Sequence, residues 1–212
     1  MRPSAIGHDD LMHATLVRRA FNRPGWVFEN KLDGFRALAR RDGDRVELLS
    51  RTGRPIAINF PDVVSALRGV DGSWVLDGEL VVPDERGHPS FEGIRRRGVM
   101  KLPSSIAAAV RAAPAALCVF DLLLIDGEDL RRLPLRERQA RLADLVETVP
   151  GLQLVRALPD RVEALFAQVC EMDLQAIVGK DLAAAPYERG VQPTWAKGEN
   201  PPYSRQEAPG FR

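Results

Sequence analysis

The chain has 212 residues, 45% of them hydrophobic, and its 30 Lys and Arg nearly balance 29 Asp and Glu, for a net charge of +1. That is enough apolar content for a buried core in one domain, and it excludes a protein that holds nucleic acid through an excess of basic residues over its whole surface. No apolar run reaches the length of a bilayer span and the N-terminus lacks the pattern of a secretion signal, so a cytoplasmic protein without membrane contact is expected.

In chain order, strands are expected over 26–32, 35–40, 46–50, 74–82, 117–125 and 175–180, and helices over 61–67, 104–112, 134–146 and 161–170. The first two strands flank Lys31-Leu32-Asp33-Gly34-Phe35-Arg36, and the third runs into Leu49-Ser50-Arg51-Thr52-Gly53. Asp77 and Glu79, two apart in the fourth strand, would share one face. The basic run Arg95-Arg96-Arg97 follows Phe91-Glu92-Gly93, which reads as a loop. The fifth strand carries Phe120-Asp121-Leu122-Leu123, with Asp126-Gly127 just beyond it. Pro134 suits the first position of its helix. Arg131, Arg132, Arg136, Arg138 and Arg141 read as a solvated face carrying Glu and Arg pairs, with a DNA-facing patch as the alternative. In 161–170, Val162, Leu165, Phe166, Val169 and Cys170 form a buried stripe. Cys118 and Cys170 read as buried free thiols, and His8, His13 and His88 as surface histidines without zinc spacing.

The first motif carries chemistry in its lysine. An amine attacks phosphorus only when unprotonated, and a lysine of pKa about 10.4 is almost wholly ammonium at neutral pH. Desolvation, a metal cation or the nearby Arg36 would favour the neutral form. The alternative is a tight turn at Asp33-Gly34 with Lys31 in solvent.

Taken together and in order, K-x-D-G at 31–34, the Arg51 segment, Asp77-Gly78-Glu79 and Phe120-Asp121-Leu122-Leu123 resemble the adenylation domain of ATP-dependent DNA ligases, above all the ligase module of bacterial end-joining ligases, over about 24–204. The resemblance implies an α+β, ATP-grasp-like nucleotidyltransferase fold of antiparallel sheets flanked by helices, with nucleotide held between two sheets. It implies that Lys31 takes up AMP from ATP with Mg2+ or Mn2+, for strand joining in DNA repair or recombination. Phe120 would stack on adenine, with Glu29 on the adenine side. Arg36 and Glu79 would lie near the ribose, Glu79 also serving metal, while Arg51 would hold nucleotide or DNA phosphate and Lys180 and Lys197 would bear on the α-phosphate. From the residues alone, Glu29 could be an exposed strand residue, Arg51 a turn residue, and Trp195 a core anchor for the strand that presents Lys197.

Two motifs depart from the family pattern. Where the family carries E-G-I-V-x-K, this chain reads Gln175-Ala176-Ile177-Val178-Gly179-Lys180, and where it carries W-x-K-x-K, this chain reads Trp195-Ala196-Lys197-Gly198-Glu199. An amide at 175 draws a hard cation less strongly than a carboxylate, and an acid at 199 repels phosphate. Slow self-adenylation is therefore expected, with a nucleotide- or partner-binding relic, an RNA ligase-like enzyme and a capping guanylyltransferase as alternatives. Residues 1–200 read as the adenylation domain and 201–212 as the start of a linker toward an OB-fold domain, which a partner protein would have to supply. Nicked or broken duplex DNA is the expected acceptor, bound weakly by this domain alone.

Overall fold

A computed structural model describes residues 1–17, 23–159, 169, 176–184 and 186–199. The expected helix over 161–170, Gln175, Cys170, the side chain of Glu199 and the linker at 201–212 lie outside the described residues.

The strands are β1 (Met12–Val17), β2 (Trp26–Asn30), β3 (Phe35–Asp42), β4 (Arg45–Ser50), β5 (Trp74–Val81), β6 (Ala116–Ile125), β7 (Glu128–Asp129), β8 (Leu152–Leu154), β9 (Leu158–Pro159), β10 (Ala176–Asp181) and β11 (Gly190–Glu199). The α-helices are α1 (Pro61–Arg68), α2 (Phe91–Gly98), α3 (Pro103–Ala112) and α4 (Leu135–Val146). The first sheet runs β1-β11-β10-β2-β9 and the second β4-β3-β5-β6-β7, with β8 on β6. The α+β reading holds, with one correction. β1 joins β11 and β8 joins β6 in parallel, so both sheets are mixed. Each parallel partner returns from a distant part of the chain, which a hairpin reading of neighbouring strands does not reach.

Alternation sorts the side chains of the second sheet into two layers. Ala37, Ala39, Trp74, Leu76, Leu80, Leu117 and Val119 pack with α1 and α4 residues such as Val63, Leu67, Leu142 and Val146 into the main core. The opposite parity, Leu38, Val75 and the half-buried Phe120, meets Met12, Tyr187 and Trp195 of the first sheet and its approaches. Asp77 and Glu79 share the parity of Val75, so apolar patterning alone aims both carboxylates at the seam between the sheets.

Local chemistry explains the helix ends. Pro61 opens α1 and Pro103 opens α3, where a missing N–H costs nothing. Pro134 is instead the residue before α4, with extended ψ of 146°. Phe91-Glu92-Gly93, expected as a loop, instead opens α2, because Ser90 caps the helix by accepting from Gly93 N at 3.1 Å.

Candidate active site

The K-x-D-G segment crosses from one sheet to the other. Lys31 follows the last residue of β2, and its backbone N–H donates to Ala176 O at 2.9 Å, continuing the pairing of β2 with β10. Alternation places Val27, Glu29 and Lys31 on one face. In register, Glu29 lies opposite Val178 and Val178 opposite Lys197, while Val27 lies opposite Lys180 and Lys180 opposite Trp195. Gly34 then passes so close to β5 that a Cβ there would stand 2.1 Å from Leu80 O and 3.0 Å from Glu79 Cγ. Only glycine allows the approach, and it brings the half-buried Lys31 beside Glu79.

Across the seam, Arg36 lies opposite Glu79, and Leu38 opposite Asp77. Arg36 grips Asp77 with two donors, Nε to Oδ1 at 2.9 Å and Nη2 to Oδ2 at 2.6 Å. Burial works against the Arg36 charge, but the Asp77 carboxylate outweighs it and holds the guanidinium firmly protonated. For Glu79 burial dominates: its carboxyl is pushed up to about 7, with Lys31 and Arg36 pulling the other way and Asp77 and Asp33 adding to the rise.

Glu29 and Lys180 of the first sheet form a second buried pair. Lys180 Nζ stands 2.6 Å from Glu29 Oε2, although no aligned hydrogen bond satisfies that ammonium. It also stands 4.4 Å from the Phe120 centroid and 4.6 Å from that of Trp195. Arg36 reaches the same rings at 5.3 and 5.7 Å. Burial raises the Glu29 carboxyl above its ordinary range while Lys180 opposes the rise. Glu29 is thus no exposed strand residue. Trp195 is 4% exposed and edge-on to Phe120, which makes it a core anchor that also walls the site.

Arg51 is exposed on the turn after β4, where Gly53 adopts a φ of 77° against the ring of His8. His13, expected at the surface, is half-buried near it; burial and then the charges of Arg36 and Arg51 lower its pKa. Arg138 is likewise no solvated residue. It shares the buried stripe of Leu135, Leu142 and Val146 on α4 and pairs Asp121 at 2.7 and 2.9 Å. Arg97 is buried too, paired with Asp62 at 3.0 Å. Cys118 is a buried free thiol, pushed up to about 12 by burial and the Glu79 charge.

Tyr187 escaped the sequence reading. Its hydroxyl donates to Asp77 Oδ2 at 2.7 Å and accepts from Met12 N at 3.1 Å. A lone tyrosine between Pro186 and charged residues carries no periodic or motif signal, and only the tertiary fold brings it to Asp77.

The seam therefore gathers a lysine, a high-pKa carboxyl, a fixed guanidinium and an aromatic ring. Residues 12–198 match the family model described as ATP dependent DNA ligase domain. The chain belongs to that family. Similar curated proteins include the multifunctional non-homologous end joining protein LigD of Pseudomonas aeruginosa, 35% identical over 179 residues. The match covers 82% of this chain but 20% of that protein. DNA ligase C2 of Mycolicibacterium smegmatis is 35% identical, over 75% of this chain and 46% of the relative. The ligase domain described here thus spans less than half the length of either. Among solved structures, a mycobacterial DNA ligase D complexed with ATP and MES superposes with a TM-score of 0.73 at 29% identity, over 90% of this chain and 60% of the other. An archaeal ATP-dependent RNA ligase, at 18% identity and a TM-score of 0.51, shares the fold alone.

Proposed function

We propose that this domain transfers AMP from ATP to Lys31, as the first step of sealing strand breaks in duplex DNA, at a rate lowered by its altered fourth and fifth motifs. The observation that carries the reading is the placement of Lys31 by Gly34 against Glu79 at the mouth of a seam floored by Phe120. Lys31 Nζ, after losing a proton to solvent, attacks the α-phosphorus. The N–P bond forms, the bond from phosphorus to the β-bridging oxygen breaks, and pyrophosphate leaves with the electron pair. Arg36 and Glu79 bear on the ribose side, with Lys197 and Arg51 toward phosphate.

Among the described residues no three His, Cys, Asp or Glu cluster as a ready-made metal cage. A magnesium-type site needs only one or two carboxylates beside substrate phosphates, and Glu79, crowded by Asp33 and Asp77, fits that role. When bound, Mg2+ or Mn2+ would neutralise charge on the phosphates. The acceptor reading, nicked or broken DNA, is supported by the relatives named DNA ligase.

A second reading, a domain that holds nucleotide without covalent transfer, is favoured by Lys180, whose ammonium lies over the Phe120 ring that adenine would need. Intact mass after incubation with ATP and Mg2+ or Mn2+, beside Lys31→Ala, separates the two. A Lys31-dependent gain of one AMP is expected. Retained ATP binding without any gain would overturn the transfer reading and establish the second.

A further inference from the structure

We propose that Tyr187 is a positioning residue for ATP: its hydroxyl fixes the Asp77 carboxylate, and through it sets the Arg36 guanidinium beside the Phe120 ring. The proposal rests on reading the seam as an ATP site.

A phenol offers one donor and two acceptor lone pairs, and the surroundings of Tyr187 use all three. The proton goes to Asp77 Oδ2 at 2.7 Å, Met12 N donates at 3.1 Å, and Arg36 Nη2 lies at 3.4 Å. The backbone of Tyr187 is also tied down, its N–H donating to Arg131 O at 2.6 Å. Its ring is held edge-on by Trp195, with centroids 5.9 Å apart, and the Arg138 guanidinium, itself fixed by Asp121, lies 5.6 Å from the ring centroid. Tyr187 is therefore immobile by packing and by hydrogen bonding at once.

Asp77 is held by Arg36 through both carboxylate oxygens. Its neighbours on β5 are Leu76, Gly78 and, on the same face, the acidic Glu79, and rotation of the Asp77 carboxylate about its last torsion would swing the fork that Arg36 grips. The phenol locks that torsion. Because Met12 opens β1, which runs beside the β11 strand of Trp195 and Lys197, the same hydroxyl ties the first sheet to the Asp77-Gly78-Glu79 strand of the second. Burial and the Asp77 charge lift the phenol pKa well above 10, so it stays a donor across the physiological range. An arginine stem is costly to order, and a guanidinium ordered before ligand arrives binds more tightly.

The test measures ATP affinity by calorimetry with Mg2+ in a Lys31→Ala background, which prevents chemistry, across a cycle of Tyr187→Phe and Arg36→Ala. Tyr187→Phe is expected to weaken ATP about tenfold when Arg36 is present and by less than about twofold when it is absent, the non-additivity of residues that act in series. Equal affinity for Tyr187→Phe, or the same loss in both backgrounds, would overturn the positioning role while leaving the ATP site standing. A Lys31→Ala protein that binds no ATP would overturn both. Should Tyr187→Phe fail to fold, replacing the two tyrosines of the chain by 3-fluorotyrosine keeps the shape and alters only hydroxyl strength. ATP affinity then changes only where Arg36 is present; a change in the Arg36→Ala protein, or in neither, counts against the proposal.

Discussion

At the residue scale, Glu79 is where burial works against stability. A carboxyl with a folded pKa of about 7 against an ordinary 4.5 binds its proton more tightly in the folded chain than in the unfolded one. Between those values the folded state holds more protons, so stability contributed by this group is full below pH 4.5, declines as pH rises to about 7, and is flat beyond. Glu79→Gln removes the titration. Its melting temperature, measured with chelator present, should gain on the wild type by several degrees between pH 4.5 and 7 and hold that gain at pH 8. An equal difference at pH 5 and pH 8 would refute the assignment. The residues of this seam were legible to unequal degrees. Lys31, Arg36, Glu79 and Phe120 stand in contiguous motifs, and the order of those motifs, through the family resemblance, proposes them. Asp77 showed its face but not its partner, and Tyr187 and His13 reach the seam through strand pairings between opposite ends of the chain, which no local pattern encodes.

Among elements, strands and helices with strong apolar periodicity were legible to within a residue or two, as in the match of the expected 74–82 with Trp74–Val81. What sequence patterning hid is the burial of Arg138 on α4, a helix expected over 134–146 and found at Leu135–Val146. Its stripe at Leu135, Arg138, Leu142 and Val146 has helical spacing, but the arginine in it reads as a break toward solvent. The fold instead matches it to Asp121, a buried acid on β6 whose own strand is otherwise apolar. Arg138 Nη1 also donates to Leu133 O at 2.6 Å, so the pair clamps the start of α4 to the second sheet. Breaking one partner leaves the other charged and dry. Arg138→Met should cost about 3–5 kcal/mol in denaturant unfolding, and Arg138→Met with Asp121→Leu together should cost clearly less than the single change. If the double variant loses as much as the single effects combined, the clamp is a packing contact and not a charge pair.

For the whole molecule, a net charge of +1 conceals an uneven surface. Arg51, Arg54, Arg95, Arg96 and Lys101 are all exposed, on the turn after β4 and on and just after α2. They belong to one region, because Arg54 Nη2 donates to Gly98 O at 3.2 Å and Gly98 in turn packs against Phe35 of the K-x-D-G segment. Glu92 is exposed on the same helix, but its carboxylate is at the other end, in the first turn. A basic region next to the proposed nucleophile is where the phosphates of a nicked strand would lie, and counterion release makes their neutralisation measurable. Arg95→Gln with Arg96→Gln should weaken binding to a nicked duplex, measured by fluorescence anisotropy over a salt series. For every phosphate that the variant no longer neutralises, the slope of log affinity against log salt should flatten by about 0.9. Lysyl-AMP formation should be unchanged, because neither arginine faces the seam. An unaltered slope would move the DNA-binding surface to another face of the domain, and a parallel loss of adenylation would mean that α2 supports the nucleotide site through Phe35 and not the acceptor.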